Sequence, residues 1–211
     1  MAQMNEHDGL DGRTRADAAW SRMLAGNRRF AEGKAEHPWQ DRETRESLID
    51  AQTPDAAVLS CSDSRVPPEI IFDEGLGDLF TIRTAGEVVD DAVLESLEYA
   101  VLHLHVSLIV VMGHQNCGAV AAAMKVLAGD ENAEDEGFRS ILMREVGASA
   151  RLAMDSDLDT AEDVERIHVA QTLEALVTDS AVIREAVHSG AVSLVGARYK
   201  LDDGKVEVLS F

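Results

Sequence analysis

Three side chains that commonly bind metals stand in two short segments of this 211-residue chain. Cys61 opens the segment Cys-Ser-Asp-Ser-Arg, and His114 opens His-Gln-Asn-Cys-Gly, which contains Cys117. The chain has no other cysteine. A Cys, His, Cys set suits zinc, and three protein ligands leave a fourth coordination position open for chemistry. The pattern therefore predicts one zinc ion per chain.

Asp63 and Arg65 follow the first cysteine at two-residue steps. In an extended loop such side chains point the same way, so Arg65 can hold the Asp63 carboxylate bidentately and keep it ionised. An ionised carboxylate only accepts hydrogen bonds. Beside zinc, Asp63 would accept a hydrogen bond from the metal-bound oxygen and so orient the hydroxide that zinc generates. The alternative is a plain surface ion pair, the commoner meaning of Asp-x-Arg.

Apolar runs that are typical of buried strands come directly before both segments. Residues 56–60 precede Cys61, and residues 107–113 precede His114; residues 79–83 form a third such run. The long run before His114 is almost continuously apolar, as expected for a parallel strand covered on both faces. Ligands gather at the carboxyl ends of strands in open α/β sheets, so the two segments should meet there.

The remaining patterns complete the predicted fold. Helices are expected over about 17–31, 41–51, 91–104, 118–128, 138–153 and 161–188, and Val66-Pro67-Pro68 should stop regular structure after the Cys61 loop. Residues 191–199 and 205–209 form a terminal strand pair joined by Asp202-Asp203-Gly204, a strong hairpin signal. The order predicts an α/β fold with a mostly parallel central sheet flanked by helices, a C-terminal antiparallel hairpin and an N-terminal helical arm.

The predicted domain organisation is simple. Residues 1–15 are polar and are expected to form a flexible N-terminus, followed by a single domain over 16–211 in which 16–50 form the helical arm. Residues 129–137 read as an acidic surface loop.

The composition excludes several classes of partner. The net charge of −20, from 19 basic and 39 acidic residues, argues against binding to nucleic acid. No apolar stretch reaches the roughly 20 residues that span a membrane, and the N-terminus lacks the apolar core of a secretion signal. The two cysteines read as reduced thiols, so the cytoplasm is the expected location.

Taken together, the motifs resemble those of the β-class carbonic anhydrases, in their bacterial branch. The likeness is carried by CSDSRVPPEIIF, GLGDLFTIRTAGEVV and IVVMGHQNCGAV, and it extends from GNRRF near the N-terminus to the final strands. It implies that Cys61, His114 and Cys117 bind zinc and that Asp63 and Arg65 form the catalytic dyad. The reaction implied is the reversible hydration of carbon dioxide to bicarbonate and a proton, the work of a lyase.

The resemblance also implies a substrate pocket and self-association. It places Gln52, Phe80, Ala85, Tyr99 and the backbone N–H of Gly118 around the substrate. It implies a homodimer or homotetramer in which the N-terminal helix wraps the partner and pocket residues come from both subunits.

Two positions bear on regulation and on departures from the family pattern. In some family members the Asp63 equivalent leaves its arginine and becomes a fourth zinc ligand in a closed state. Members that bind inhibitory bicarbonate carry Trp where this chain has Val58, so no such pocket is expected here. The family often has Asn at the position of Glu87, which puts local loop detail in doubt.

Two other functions fit part of the pattern. A zinc enzyme of the same scaffold could act on a related cumulated substrate such as carbon disulfide or carbonyl sulfide. A non-catalytic zinc-binding or redox-sensing protein would need the cysteines but not Asp63, Arg65 or Gln52, so the presence of all three argues against it.

Overall fold

The computed structural model describes residues 11–129 and 141–209. Within them the chain alternates strands and helices through its middle and ends in a hairpin. The helices are α1 (Gly12–Ala31), α2 (Arg42–Ser47), α3 (Pro68–Ile71), α4 (Asp91–Leu102), α5 (Gly118–Leu127), α6 (Ile141–Asp155), α7 (Ala161–Asp179) and α8 (Ala181–His188). None of these helices is long and apolar enough to cross a membrane.

One five-stranded sheet forms the centre of the fold. Its strands are β1 (Ala56–Cys61), β2 (Leu79–Thr84), β3 (Leu108–His114), β4 (Ser193–Tyr199) and β5 (Val206–Leu209). Their order across the sheet is β2-β1-β3-β4-β5. The first four strands are parallel, and β5 pairs antiparallel with β4. The predicted fold class is therefore confirmed.

Helices cover both faces of the sheet, which explains why β1 and β3 are buried at every position. On one face Met23 of α1, Val120 of α5 and Val146 of α6 join the core. On the other, Leu97 of α4 and Ile183 of α8 do so. Strands covered in this way must bring their functional groups to their ends, where the chain leaves the core.

The N-terminal helix begins at Gly12, five residues before the predicted start at residue 17. It starts at Gly12 because the Asp11 side chain accepts from the N–H of Thr14 and caps it, so residues 12–15 are helical and not part of a flexible N-terminus. Gly26 lies buried within this helix. Its role is packing, because a Cβ there would clash with the carbonyl oxygen of Phe72.

Two other helix predictions need correction. The region 161–188 holds two helices, because Ser180 ends α7 and its side chain caps α8 by accepting from Ile183 N–H. The prolines after the Cys61 loop do not stop regular structure, since Pro68 opens the short α3, where a missing N–H costs nothing. Residues 1–10, the acidic segment 130–137 and residues 138–140, where the helix seen as α6 was predicted to start, lie outside the described residues.

Candidate metal centre

The carboxyl ends of β1 and β3 bring Cys61, His114 and Cys117 together. Cys61 ends β1, His114 ends the neighbouring β3, and Cys117 is the N-cap residue of α5. The left-handed backbone of Asn116 (φ 58°) allows the tight turn between the last two. The possible ligand atoms of all three side chains lie within 4.8 Å of one another, and all three residues are buried. The predicted ligand set is therefore assembled by the fold.

The His114 ring indicates that a cation belongs in this group. Its Nδ1 lies 3.0 Å from the backbone oxygen of Gln115, which can only accept, so Nδ1 carries the proton. The other nitrogen, Nε2, is buried and has no hydrogen-bond partner. An unsatisfied buried polar atom costs roughly 1–3 kcal/mol. A metal held by this nitrogen and two sulfurs would satisfy it, and the donor set fits zinc.

The two thiols share one proton in the absence of a metal. A hydrogen bond from the Cys117 thiol lowers the pKa of Cys61 to about 4 despite its burial. The same bond to Cys61, together with burial, raises the pKa of Cys117 well above its ordinary value. At neutral pH Cys61 is thus a thiolate and Cys117 a thiol, and a divalent cation must displace the Cys117 proton.

This proton exchange predicts that zinc affinity rises with pH. The raised pKa keeps the Cys117 thiol protonated between pH 7.5 and 9, so Zn²⁺ must displace this proton to bind. The concentration of competing protons falls tenfold with each pH unit. We expect the apparent dissociation constant for Zn²⁺ to fall about tenfold per pH unit over that range. A competition titration against a chelator of known pH dependence measures it. An affinity that does not change with pH would contradict the shared-proton arrangement.

Asp63 and Arg65 form a bidentate ion pair beside the ligands. Arg65 donates from Nε to Oδ1 at 2.9 Å and from a terminal nitrogen to Oδ2 at 2.7 Å, and its backbone N–H also reaches Oδ1 at 2.9 Å. These bonds hold the pKa of Asp63 well below its usual range. The Arg65 side chain also reaches the Asn116 carbonyl at 3.3 Å, linking the two motif loops. Asp63 is therefore ionised and fixed in orientation.

Arg83 holds the loop between Cys61 and Asp63 by hydrogen bonds, and the sequence patterns did not predict this role. Its side chain donates to the Cys61 carbonyl at 3.0 Å and to the Asp63 carbonyl at 2.6 Å. Arg83 belongs to β2, directly beside β1 in the sheet. An arginine in a strand otherwise looks like a surface residue, and only the pairing of β2 with β1 reveals its contacts.

A buried ion pair supports the second cysteine. Glu165 of α7 accepts from the Cys117 N–H at 3.4 Å and from Arg198 Nε of β4 at 2.7 Å. Both charged side chains are almost fully buried. Sequence reasoning missed them, because each is an isolated charge and the two pair across 33 residues. A buried charge of this kind is retained only when it is paired, so the pair must form for Cys117 to be held.

Two of the five predicted substrate residues lie beside the metal group. Ala85 follows the last residue of β2, which pairs with Cys61 in the sheet. Gly118 directly follows Cys117 and opens α5. Both are exposed, and a side-chain atom added at Gly118 would meet nothing within 4 Å. There is room for a small molecule at this position.

The other three predicted substrate residues do not reach the metal group of their own chain. Phe80 pairs with Ala57, four residues before Cys61, which puts it about 13 Å back along the strand at ~3.3 Å per residue. The Tyr99 ring stacks near it at 6.2 Å between centroids and is half exposed. Gln52 is exposed in the loop before β1. Their role as substrate contacts stays a prediction.

Comparison with known proteins decides the family. A sequence model described as carbonic anhydrase matches residues 56–206, a span that contains Cys61, Asp63, Arg65, His114 and Cys117. The chain belongs to the carbonic anhydrase family. A carbonic anhydrase of Mycolicibacterium smegmatis is 45% identical over 92% of this chain and 93% of its own length.

Solved structures of β-class carbonic anhydrases share the fold. The β-carbonic anhydrase CcaA has a TM-score of 0.71 at 28% identity, covering 90% of this chain and 95% of that one. A structure described as one of two tetrameric β-carbonic anhydrases from the ascomycete Sordaria macrospora has a TM-score of 0.66 at 26% identity, covering 92% and 98%. The resemblance found in the sequence motifs is thus confirmed for nearly the whole carbonic anhydrase chain.

Proposed function

We propose that this carbonic anhydrase catalyses the reversible hydration of carbon dioxide to bicarbonate and a proton, with zinc held by Cys61, His114 and Cys117. The observation that carries the proposal is the grouping of ligand atoms from Cys61, His114 and Cys117 within 4.8 Å of one another, with His114 Nε2 buried and unpartnered, beside an ionised carboxylate. When bound, zinc would act as a Lewis acid that makes a water molecule acidic near neutral pH.

Asp63 would orient the attacking water. Because Arg65 donates to both of its oxygens, the carboxylate stays ionised and its remaining lone pairs can only accept. The proton of the nucleophile must therefore point at Asp63, which turns an oxygen lone pair toward the substrate carbon. Side-chain exposure of 19% leaves Asp63 accessible from the site while its position is fixed.

The first turn of α5 would receive the substrate oxygen. The N–H of Gly118 lies at the positive end of the helix dipole, where free backbone donors favour developing negative charge. The absence of a side chain at Gly118 lets a three-atom substrate approach the backbone, and exposed Ala85 offers a small apolar wall. The arrangement suits a small electrophile that becomes anionic.

We propose that two copies of the chain complete the pocket. The pair Phe80 and Tyr99 and the exposed Gln52 lie away from the metal group of their own chain, and half-exposed Tyr99 and Leu102 form an apolar surface on α4. A partner could bring them to the site, giving the predicted homodimer or homotetramer, and the ascomycete relative is described as tetrameric. A cytoplasmic location remains a prediction.

Sedimentation analysis of Tyr99→Ala against Tyr99→Phe tests this arrangement. Loss of the ring should weaken self-association and lower hydration together at a given protein concentration, while the phenylalanine variant keeps the packing surface and should assemble normally. A wild-type chain that stays monomeric at micromolar concentration yet hydrates carbon dioxide rapidly would contradict a shared pocket.

Substrate choice separates the proposed reaction from its closest rival. Stopped-flow measurement with a pH indicator on zinc-quantified protein should give fast proton release from carbon dioxide. Carbonyl sulfide and carbon disulfide, tested by hydrogen sulfide release at the same zinc content, should give little or none. Release of hydrogen sulfide with no hydration of carbon dioxide would replace the proposed substrate, and no reaction with any of the three would favour the non-catalytic function.

A further inference from the structure

His168, Ser149 and Gln171 form a connected group of polar side chains beside the Ala85–Glu87 turn, and the proposed reaction does not use them. His168 of α7 is 2% exposed and lies between its neighbours with both ring nitrogens engaged. Nε2 lies 2.7 Å from the carbonyl oxygen of Gly86, and Nδ1 lies 2.9 Å from Oγ of fully buried Ser149 on α6. The Ser149 hydroxyl in turn donates to Oε1 of the Gln171 side chain at 2.6 Å.

The direction of the hydrogen bond to Gly86 is fixed by chemistry. A carbonyl oxygen only accepts, so Nε2 of His168 must carry the proton and donate it. Burial lowers the pKa of His168, which keeps the ring neutral. In the neutral ring Nδ1 then carries no proton. The imidazole is thereby locked in one tautomer, with its donor aimed at a single backbone oxygen.

The residue that receives this bond also contacts a metal ligand. The N–H of Gly86 donates to Cys61 Sγ at 3.3 Å. Gly86 and Glu87 both have left-handed backbones, with φ of 64° and 41°. Such a turn is sparsely populated for glutamate and unusually free for glycine, so it holds one geometry only when its surroundings fix it. The contact of His168 with Gly86 supplies such a restraint.

We propose that His168 is a positioning residue that holds Gly86 so that its N–H stays on the Cys61 sulfur. The inference rests on metal binding by Cys61, and so on the proposed function. A hydrogen bond to a ligand sulfur orients the thiolate and draws charge from it, which tunes the acidity of the metal. Loss of such outer contacts typically lowers metal affinity about 10- to 100-fold.

A matched pair of variants separates positioning from packing. His168→Gln places a side-chain N–H near the position of Nε2, whereas His168→Met has similar length and no donor. We expect the methionine variant to bind zinc about 10- to 100-fold more weakly in a chelator competition and the glutamine variant to stay within about threefold of wild type. The thiolate-to-metal absorption band of the cobalt-substituted protein should shift in the methionine variant alone.

A direct measurement on the unaltered chain covers the case in which a variant does not fold. In wild type loaded with ¹¹³Cd, magnetisation should pass from the metal through Cys61 Sγ to the amide proton of Gly86. No such coupling in wild type, or equal zinc affinity in the glutamine and methionine variants, would overturn the proposal. Failure of wild type to bind zinc at all would instead overturn the proposed function, so the two failures are distinguishable.

Discussion

Asp63→Asn is expected to retain one zinc per chain and to lose about 10²- to 10³-fold in kcat for carbon dioxide hydration, the scale of one preorganised hydrogen bond at a reacting centre. Arg65 donates to both carboxylate oxygens, at 2.9 Å and 2.7 Å. An amide has only one oxygen, so one of these contacts is lost. Its NH₂ group also donates where the carboxylate only accepts, and the attacking water is turned away from the productive orientation.

The control for this variant carries the same charge change elsewhere. Asp155→Asn alters an exposed residue at the end of α6 and should leave zinc content and turnover unchanged. Stopped-flow kinetics with metal analysis on all three proteins makes the comparison. Turnover of Asp63→Asn within about threefold of wild type, at full zinc content, would contradict the orienting role of the carboxylate.

Cys61→Ser is expected to abolish both metal binding and activity. The serine hydroxyl is close in size to the thiol, so the buried end of β1 should tolerate it. It stays neutral at neutral pH and is a hard donor, whereas Cys61 is a thiolate because its pKa is lowered to about 4. After dialysis against a chelator, we expect less than about 0.1 zinc per chain and hydration at the uncatalysed rate.

The adjacent serine provides the matched control. Ser62 is exposed, so Ser62→Ala changes the same loop without removing a ligand and should keep its zinc. Circular dichroism of Cys61→Ser checks that the sheet still forms. Full zinc occupancy in folded Cys61→Ser would exclude Cys61 as a ligand and with it the predicted metal centre.

The parts of the fold and site that the sequence predicts are those encoded by local pattern. The apolar runs of β1 and β3 predict buried parallel strands, and the polar segments that follow them lie together because parallel strands share a carboxyl edge. Asp90 and Thr160 cap helices as their residue types indicate. Cys61, His114, Cys117, Asp63 and Arg65 could be chosen in the same way, since their chemistry is visible in short motifs.

The features that escaped prediction depend on contacts distant in sequence. His168 contacts Gly86 across 82 residues, and Glu165 meets Arg198 across 33. Each is a single polar residue in a helix or strand, where solvent exposure is the ordinary expectation. The end of α7 and start of α8 at Ser180 was not predicted for a different reason. The apolar periodicity continues through Ser180, and a capping residue inside a long helical pattern is easily overlooked.

Metal removal and reconstitution tests the central claim most directly. Chelator-treated protein should show no carbon dioxide hydration above the uncatalysed rate. Stepwise addition of Zn²⁺ should restore activity linearly, with a sharp break at one zinc per chain, in protein that contains all three ligands. Rapid hydration by the metal-free chain, or full zinc uptake without any return of activity, would contradict the account of this site as a zinc-dependent carbonic anhydrase centre.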